Sequence, residues 1–457
     1  MYSRQFFFDC IFFTPLVILI YLLTDIPNDT SFGISNFFIL LITYFGFLAK
    51  KDRPYSLEKI VYIFAFVFFG IVPLNDMANE NIYWTGNRID SAHFITTNVI
   101  IIIGLLAFTV GSKLKIVAFD RTPNLFPTIN KVNIGFYFFL LALVGFLILQ
   151  NNEYSIPRVL FRGLASEFAT DSDTQSSQIQ TLIFRNFIRP MPFVLLAVFV
   201  FYYKSNSTSM PIFKRFRFRV YLVLSIVLAI LLVAPTSVPR FQAAALYIPL
   251  ILMFTSIWNR HYSMQLSTLA GLFLVMPFLD KFRYFNPETF DWSIDLDFLN
   301  HGHFDAYQNF VRVIEIDFVT YGQQLVGALR FFIPRGIWEE KPVGSGATLS
   351  YEAGYDFSNI SMPFMAEGYV NFGIFGVILF MFSLGVVISN IDRISWKLKK
   401  NQINHFILYY YYFLFGMIFF VMRGDLMSSF AYTVGLTASF LTIAYILNFF
   451  AFKARPL

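Results

Sequence analysis

Reactive side chains are scarce in this sequence. Its single cysteine, Cys10, sits inside an apolar run, which excludes a disulfide framework and a cysteine metal site. Five histidines serve the whole chain: His93, His261, His301, His303 and His405. No His-Glu-x-x-His and no Gly-x-Ser-x-Gly occurs, and "GSGATLSYEAG" (344–354) lacks the Gly-Lys-Ser/Thr ending of a P-loop, which argues against an ATPase. Charge is thin as well, at 14% of residues, where soluble domains carry about 25%. The cations form no stripe along a polar helix, so nucleic acid is not an expected partner. Neither an internal repeat nor a low-complexity tract is visible.

What fills the chain is apolar. Hydrophobic residues make up 57% of 457 positions, with 61 Phe and 25 Tyr, and they come in long blocks. Blocks of about 17 to 25 apolar residues predict membrane spans, here twelve: roughly 7–24, 33–49, 57–74, 92–111, 132–149, 186–203, 220–236, 241–258, 265–280, 364–390, 403–422 and 427–450. The expected fold is one all-α polytopic membrane domain over 1–457. The first block has no small-residue cleavage site after it and reads as a retained helix.

Charge sets the orientation. With both termini in the cytoplasm, the short loops "KKDRP", "SKLKIVAFDR", "KSNSTSMPIFKRFRFR", "NRH", "DRISWKLKK" and "KAR" all lie inside. Lys plus Arg is then 21 inside against 13 outside, and Asp plus Glu is 5 against 23. That is the pattern cytoplasmic retention of basic loops requires. Two outer loops are long, a third at 150–185 and a fifth at 281–363 between the ninth and tenth spans. A structureless segment of the latter size would be unusual, so it should carry elements of its own. "HFDAYQNFVRVIEIDF" (303–318) and "YGQQLVGALRFFIP" (321–334) predict two helices. Leu325, Leu329 and Phe332 mark the apolar face of the second, and Pro334 marks its end.

Outside, arginine replaces lysine. Only Lys281 and Lys341 stand there, against 11 Arg. Retention needs only positive charge, whereas a guanidinium grips phosphate or carboxylate through two bonds and stays charged when desolvated. The outer face therefore reads as anion-binding, with pairing to the outer carboxylates as the structural alternative. Arg240 is the sharpest case, because its turn, "APTSVPRFQ", holds no acid, and a cation at the hydrocarbon edge is costly unless it is used. Arg189 in "NFIRPMPF" and Arg423 in "FVMRGDL" stand at comparable span ends, Arg423 with Asp425 at hand. "RFFIPRGIWEEKP" (330–342) gathers Arg330, Arg335 and Lys341 beside Glu339 and Glu340.

Candidate bases are His303, His301 and Glu367. "NHGHFD" sets His301 four residues before Asp305, a spacing that lets a carboxylate orient an imidazole on a helix, although a helix-capping stretch looks the same. Glu367 opens the tenth span, where an acid either snorkels or works. The pairs "DSD" (171–173) and "DLD" (295–297) match the Asp-x-Asp of metal-dependent glycosyl transferases, but they face outward, away from nucleotide sugars. Tyr284, Trp292 and Trp338 suit either headgroup anchoring or sugar stacking.

From "RFFIPRGIWEEKPVGSGATLSYEAG" through "NISMPFMAEGYVNFGIFG", and again at "RGDL", the chain resembles bacterial O-antigen polymerases of the Wzy type. Arg335 and Gly346 fit the Arg-x10-Gly pattern of some members, whereas no arginine of the third loop does. The resemblance implies a GT-C-like membrane fold in the bacterial inner membrane that works at its periplasmic face. It implies transfer of a growing glycan from undecaprenyl pyrophosphate onto the next lipid-linked repeat unit, without cofactor or metal. Arg240, Arg335 and Arg312 are the first expectation for the pyrophosphate clamp, with Arg330, Lys341 and Arg423 beside them. A chain-length regulator protein is a further expected partner. An O-antigen ligase shares donor and topology, and a lipid-linked oligosaccharide flippase is the transporter alternative. The ligase differs in its acceptor; flippases usually show repeated halves and charges within spans.

Overall fold

The computed structural model describes residues 30–48, 53–84, 89–117, 129, 132–161, 180–260, 262–284 and 300–452. The first apolar block with Cys10, Arg88, Arg162, His261, both Asp-x-Asp pairs and Trp292 lie outside them. Among the described residues every regular element is helical. The helices used below are α1 Thr30–Leu48, α2 Leu57–Ala78, α3 Ser91–Gly111, α4 Ile134–Asn151, α5 Ile156–Leu160, α6 Gln180–Asn206, α7 Ile212–Leu232, α8 Arg240–Phe254 and α9 Ser263–Leu279. They continue as α10 Ala306–Glu315, α11 Gln323–Leu329, α12 Ser345–Glu352, α13 Phe364–Lys400, α14 Ile407–Arg423 and α15 Leu426–Phe452.

Seven of these, α1, α2, α3, α4, α6, α13 and α15, are long and apolar enough to cross a membrane. Helices α8, α9 and α14 are apolar but shorter, and α7 begins with the cation-rich turns "IFKRFRFR". The chain is a multi-pass membrane protein, and lipid has no hydrophobic preference for one helix over another. Close packing through small residues does that work. Gly111 of α3 lies against the backbone of Phe382 and Gly385 of α13 against that of Phe108, so these two helices meet without intervening side chains. Gly416 of α14 meets Ala245 of α8 in the same way. Helix α14 is the shared wall of two apolar cores: Tyr411 and Phe415 face α1–α3, while Phe413 and Met417 face α4, α6 and α15.

The tenth predicted span is not one helix. At Phe372 (φ −148°) and Gly373 (φ 61°) the chain of α13 breaks. Gly373 supplies a left-handed conformation that a side chain disfavours. The short arm, 364–371, then folds back on the long arm, 374–400, so that Gly368 and Gly376 touch backbone to backbone. Leu325 N–H donates to Asn371 Oδ1 (2.8 Å) and Thr320 N–H to the Val370 carbonyl (2.7 Å), which pins the break to the fifth loop.

Both helices expected in that loop exist, with different ends and surroundings. Helix α10 is buried from Ala306 to Ile314, wedged against α2, α3 and α13. Its polar residues are consumed in doing so: Gln308 Nε2 donates to Asp76 (3.0 Å) and Tyr307 OH to Asn98 (2.8 Å). Helix α11 stops at Leu329, five residues before Pro334, because Arg330 already leaves helical geometry. Of its predicted stripe only Leu325 packs, near Phe380 and Leu426; Leu329 and Phe332 are exposed.

The hairpin in α13 gives a direct test. A methyl group at Gly376 would overlap the Gly368 carbonyl oxygen, whereas one at Gly271 in α9 meets open space. Gly376→Ala should lower stability by about 1–3 kcal/mol through overpacking. Gly271→Ala should stay within about 0.5 kcal/mol. Thermal unfolding of the detergent-purified protein measures both.

Candidate functional site

The ends of α2, α8, α13 and α14 that carry Asp76, Arg240, Glu367 and Arg423 gather at one end of the bundle, the end expected to face outward and so named the outer end, with α10 among them. The Gly416–Ala245 contact lets α8 and α14 run antiparallel at close range, which sets Arg240 and Arg423 side by side. Phe241 stacks on Phe420 at 3.6 Å just beneath them. The chain before α10 then delivers His303 between the two arginines. Arg240 Nη2 lies 3.0 Å from His303 Nδ1, and Arg423 Nε donates to the His303 carbonyl at 3.1 Å. A guanidinium has only donors, so His303 Nδ1 accepts, and the proton of the neutral ring sits on Nε2.

Arg423 also pairs with Asp305, at 3.5 Å, instead of with Asp425. Asp425 is engaged elsewhere, accepting from Ser428 N–H (2.9 Å) at the start of α15. Asp305 is fully buried and collects donors from four more groups: Trp84 Nε1 (2.9 Å), Asn309 Nδ2 (3.0 Å), Ser361 N–H (3.1 Å) and the Ser361 hydroxyl. It therefore orients Arg423, and the spacing that offered it to His301 is not used in this way. His301 is exposed, its ring centre 6.2 Å from that of His303.

All three outer-end cations at span boundaries are half-buried, yet they differ in what they hold. Arg189 donates to the Ser237 carbonyl (2.6 Å), which steadies the turn before Arg240. Arg240 faces an imidazole and Arg423 faces Asp305. Arg240 is also the first residue of α8, whose opening turn has no side-chain cap. The helix start adds positive potential at the same place.

The remaining predicted residues are not brought into this cluster. Arg312 ion-pairs with Glu315, donates to Tyr355 OH (3.3 Å) and lies over the Tyr355 ring. Burial pushes the Tyr355 phenol above its usual pKa, with Arg312 drawing it partly back. In "RFFIPRGIWEEKP" the cations bind the loop itself. Arg335 donates to the carbonyls of Lys341 (2.7 Å) and Pro342 (3.2 Å), and Lys341 Nζ to those of Phe331 (2.6 Å) and Ile333 (2.9 Å). Burial, with Arg335 nearby, lowers the Lys341 ammonium pKa. Glu339, Glu340 and Arg330 are exposed. Arg158 pairs with Glu153 at 2.6 Å.

Glu367 is buried in a separate nest. Its Oε1 accepts from the Ser345 hydroxyl and from Leu426 N–H (2.7 Å), while Oε2 has no hydrogen-bond partner. It thereby ties α12 and α15 to the broken helix. Trp84, Ser361 and Asn309 are the polar partners that sequence reasoning missed; Asn309 stands one helical turn after Asp305, whereas no spacing pattern links Trp84 or Ser361 to it. Among the described residues no group of three or more His, Cys, Asp and Glu is placed to hold a metal ion.

Removing Asp305 leaves several buried donors unpaired, each costing about 1–3 kcal/mol. Asp305→Ala should thus lower the unfolding temperature of the purified protein strongly, whereas Arg335→Ala, an exposed side chain on carbonyls that water can reach, should leave it nearly unchanged. No protein family, curated protein or solved structure matches the chain.

Proposed function

We propose that the chain is a polymerase of lipid-linked oligosaccharides, with twelve spans, both termini in the cytoplasm and the outer end facing the periplasm of a bacterial inner membrane. The observation that carries this reading is the Arg240–His303–Arg423 cluster at the mouth of the bundle. Two guanidiniums and an uncapped helix start suit a pyrophosphate held at headgroup depth, with its polyprenyl tail in lipid. The resemblance of the 330–376 region to O-antigen polymerases points the same way.

The hydrogen bond between Arg240 and His303 suggests how substrate would start the reaction. While Arg240 donates to Nδ1, that lone pair is occupied. A pyrophosphate that draws the Arg240 donors to itself leaves Nδ1 open to take the proton of the acceptor sugar hydroxyl. The hydroxyl oxygen then bonds to the anomeric carbon of the growing glycan. The bond from that carbon to pyrophosphate breaks, and the electron pair leaves with the lipid pyrophosphate. Arg240 and Arg423 stabilise the charge gathering there, which lowers the barrier provided that they bind it more tightly than the ground state. Asp305 holds Arg423 in place, and Arg335 with Lys341 braces the neighbouring loop.

The test is complementation of a gene deletion, read as lipopolysaccharide ladders together with membrane protein levels. Arg240→Ala and His303→Ala should each cut long-chain product by about 100-fold or more, the scale for losing one group that acts on developing charge, and leave cores capped by a single repeat. Arg335→Ala should keep its ladder. Bare cores in the deletion would identify a ligase instead, and a normal ladder from Arg240→Ala at normal protein level would remove the clamp.

A further inference from the structure

At the opposite end of the bundle, a cavity of about 570 Å³ opens between the start of α4, the end of α6 and the first turns of α7. Lys214 and Arg217 line it together with Tyr202, Phe213, Phe218 and Tyr221, and among the described residues no carboxylate does. Arg217 Nη2 rests 3.3 Å from Tyr221 OH, and Arg219 Nε donates to Tyr203 OH at 3.1 Å, so aromatic hydroxyls rather than acids accept from this row of cations. Around the opening Ile212, Phe213 and Phe216 are 77%, 84% and 67% exposed. Water is a poor medium for such a group, and acyl chains are a good one.

We propose that this cavity binds one anionic phospholipid. Its phosphate would sit between Lys214 and Arg217, and its acyl chains would run past Phe213 and Phe216 into the bilayer. The volume lies in the roughly 300–1,000 Å³ range of small-ligand sites. Two cations without an acid among the described lining residues favour a headgroup of net negative charge. A zwitterionic headgroup would bring a second ammonium against Lys214. The site is independent of the polymerase reading, since none of its residues belongs to the outer cluster.

Native mass spectrometry of the full chain in mild detergent, titrated with phosphatidylglycerol or phosphatidylcholine, tests this. The wild type should retain one phosphatidylglycerol about tenfold or more in preference to phosphatidylcholine, as expected for two cations near an anionic headgroup. Lys214→Ala/Arg217→Ala should lose that preference, while Lys113→Ala/Lys115→Ala, which removes two exposed cations at the same end but off the cavity, should keep it. Equal retention of both lipids by the wild type overturns the proposal, and this outcome does not depend on whether any variant folds. Unchanged preference in the Lys214/Arg217 variant overturns it too, as does displacement of the lipid by inorganic phosphate alone, which would mark a bare anion site.

Discussion

The contact between Gly416 and Ala245 sets the geometry on which the outer end depends. Two helices that approach this closely hold the last turn of α14 and the first turn of α8 at a fixed height, and those turns carry Arg423 and Arg240. Any larger side chain at the crossing would separate the helices and the two guanidiniums with them. Like charges at such range repel, so the arrangement stands only because His303 and Asp305 occupy the space between and beside them. Backbone proximity deep in the bundle is thus converted into charge density at its mouth.

One device recurs at both ends. Asp305 gathers donors from α10, from Trp84 and from Ser361. Asp392 gathers the first amides of α2, Leu57 N–H at 2.9 Å and Glu58 N–H at 3.1 Å, along with the Tyr411 hydroxyl at 2.5 Å. A buried carboxylate is tolerable only when such donors surround it. Each therefore fixes segments far apart in sequence with a specificity that apolar packing lacks. Trp396 adds a bond to the Tyr55 carbonyl at 2.9 Å, which holds the long arm of α13 to the start of α2.

The apolar blocks were legible because length and hydropathy are additive along a chain: each block that falls in described residues overlaps helix, seven of the helices are long and apolar enough to cross a membrane, and the tenth block is broken in two. The break at Phe372–Gly373 was not, since a glycine inside an apolar run leaves the running hydropathy unchanged. At the candidate site, the lack of an acid near Arg240 singled it out, and this residue does meet His303. The partners of Arg335 were illegible, because backbone carbonyls are present everywhere and leave no mark on composition. Asp305 was visible only as a neighbour of His301; its actual partners come from α10, from the segment after α2 and from the stretch before α13, which only the folded chain brings together.

The burial of α10 bears on how the protein is made. Its contact surfaces on α2 and α3 are synthesised more than two hundred residues earlier than α10 itself, and its remaining wall, on α13, comes later. During biogenesis the early helices must therefore remain as an open cleft in the bilayer, with Asn98 and Asp76 lacking the α10 groups that bond them in the finished fold. Docking of the later-made α10 into that cleft becomes a distinct assembly step, coupling its synthesis to closure of the bundle.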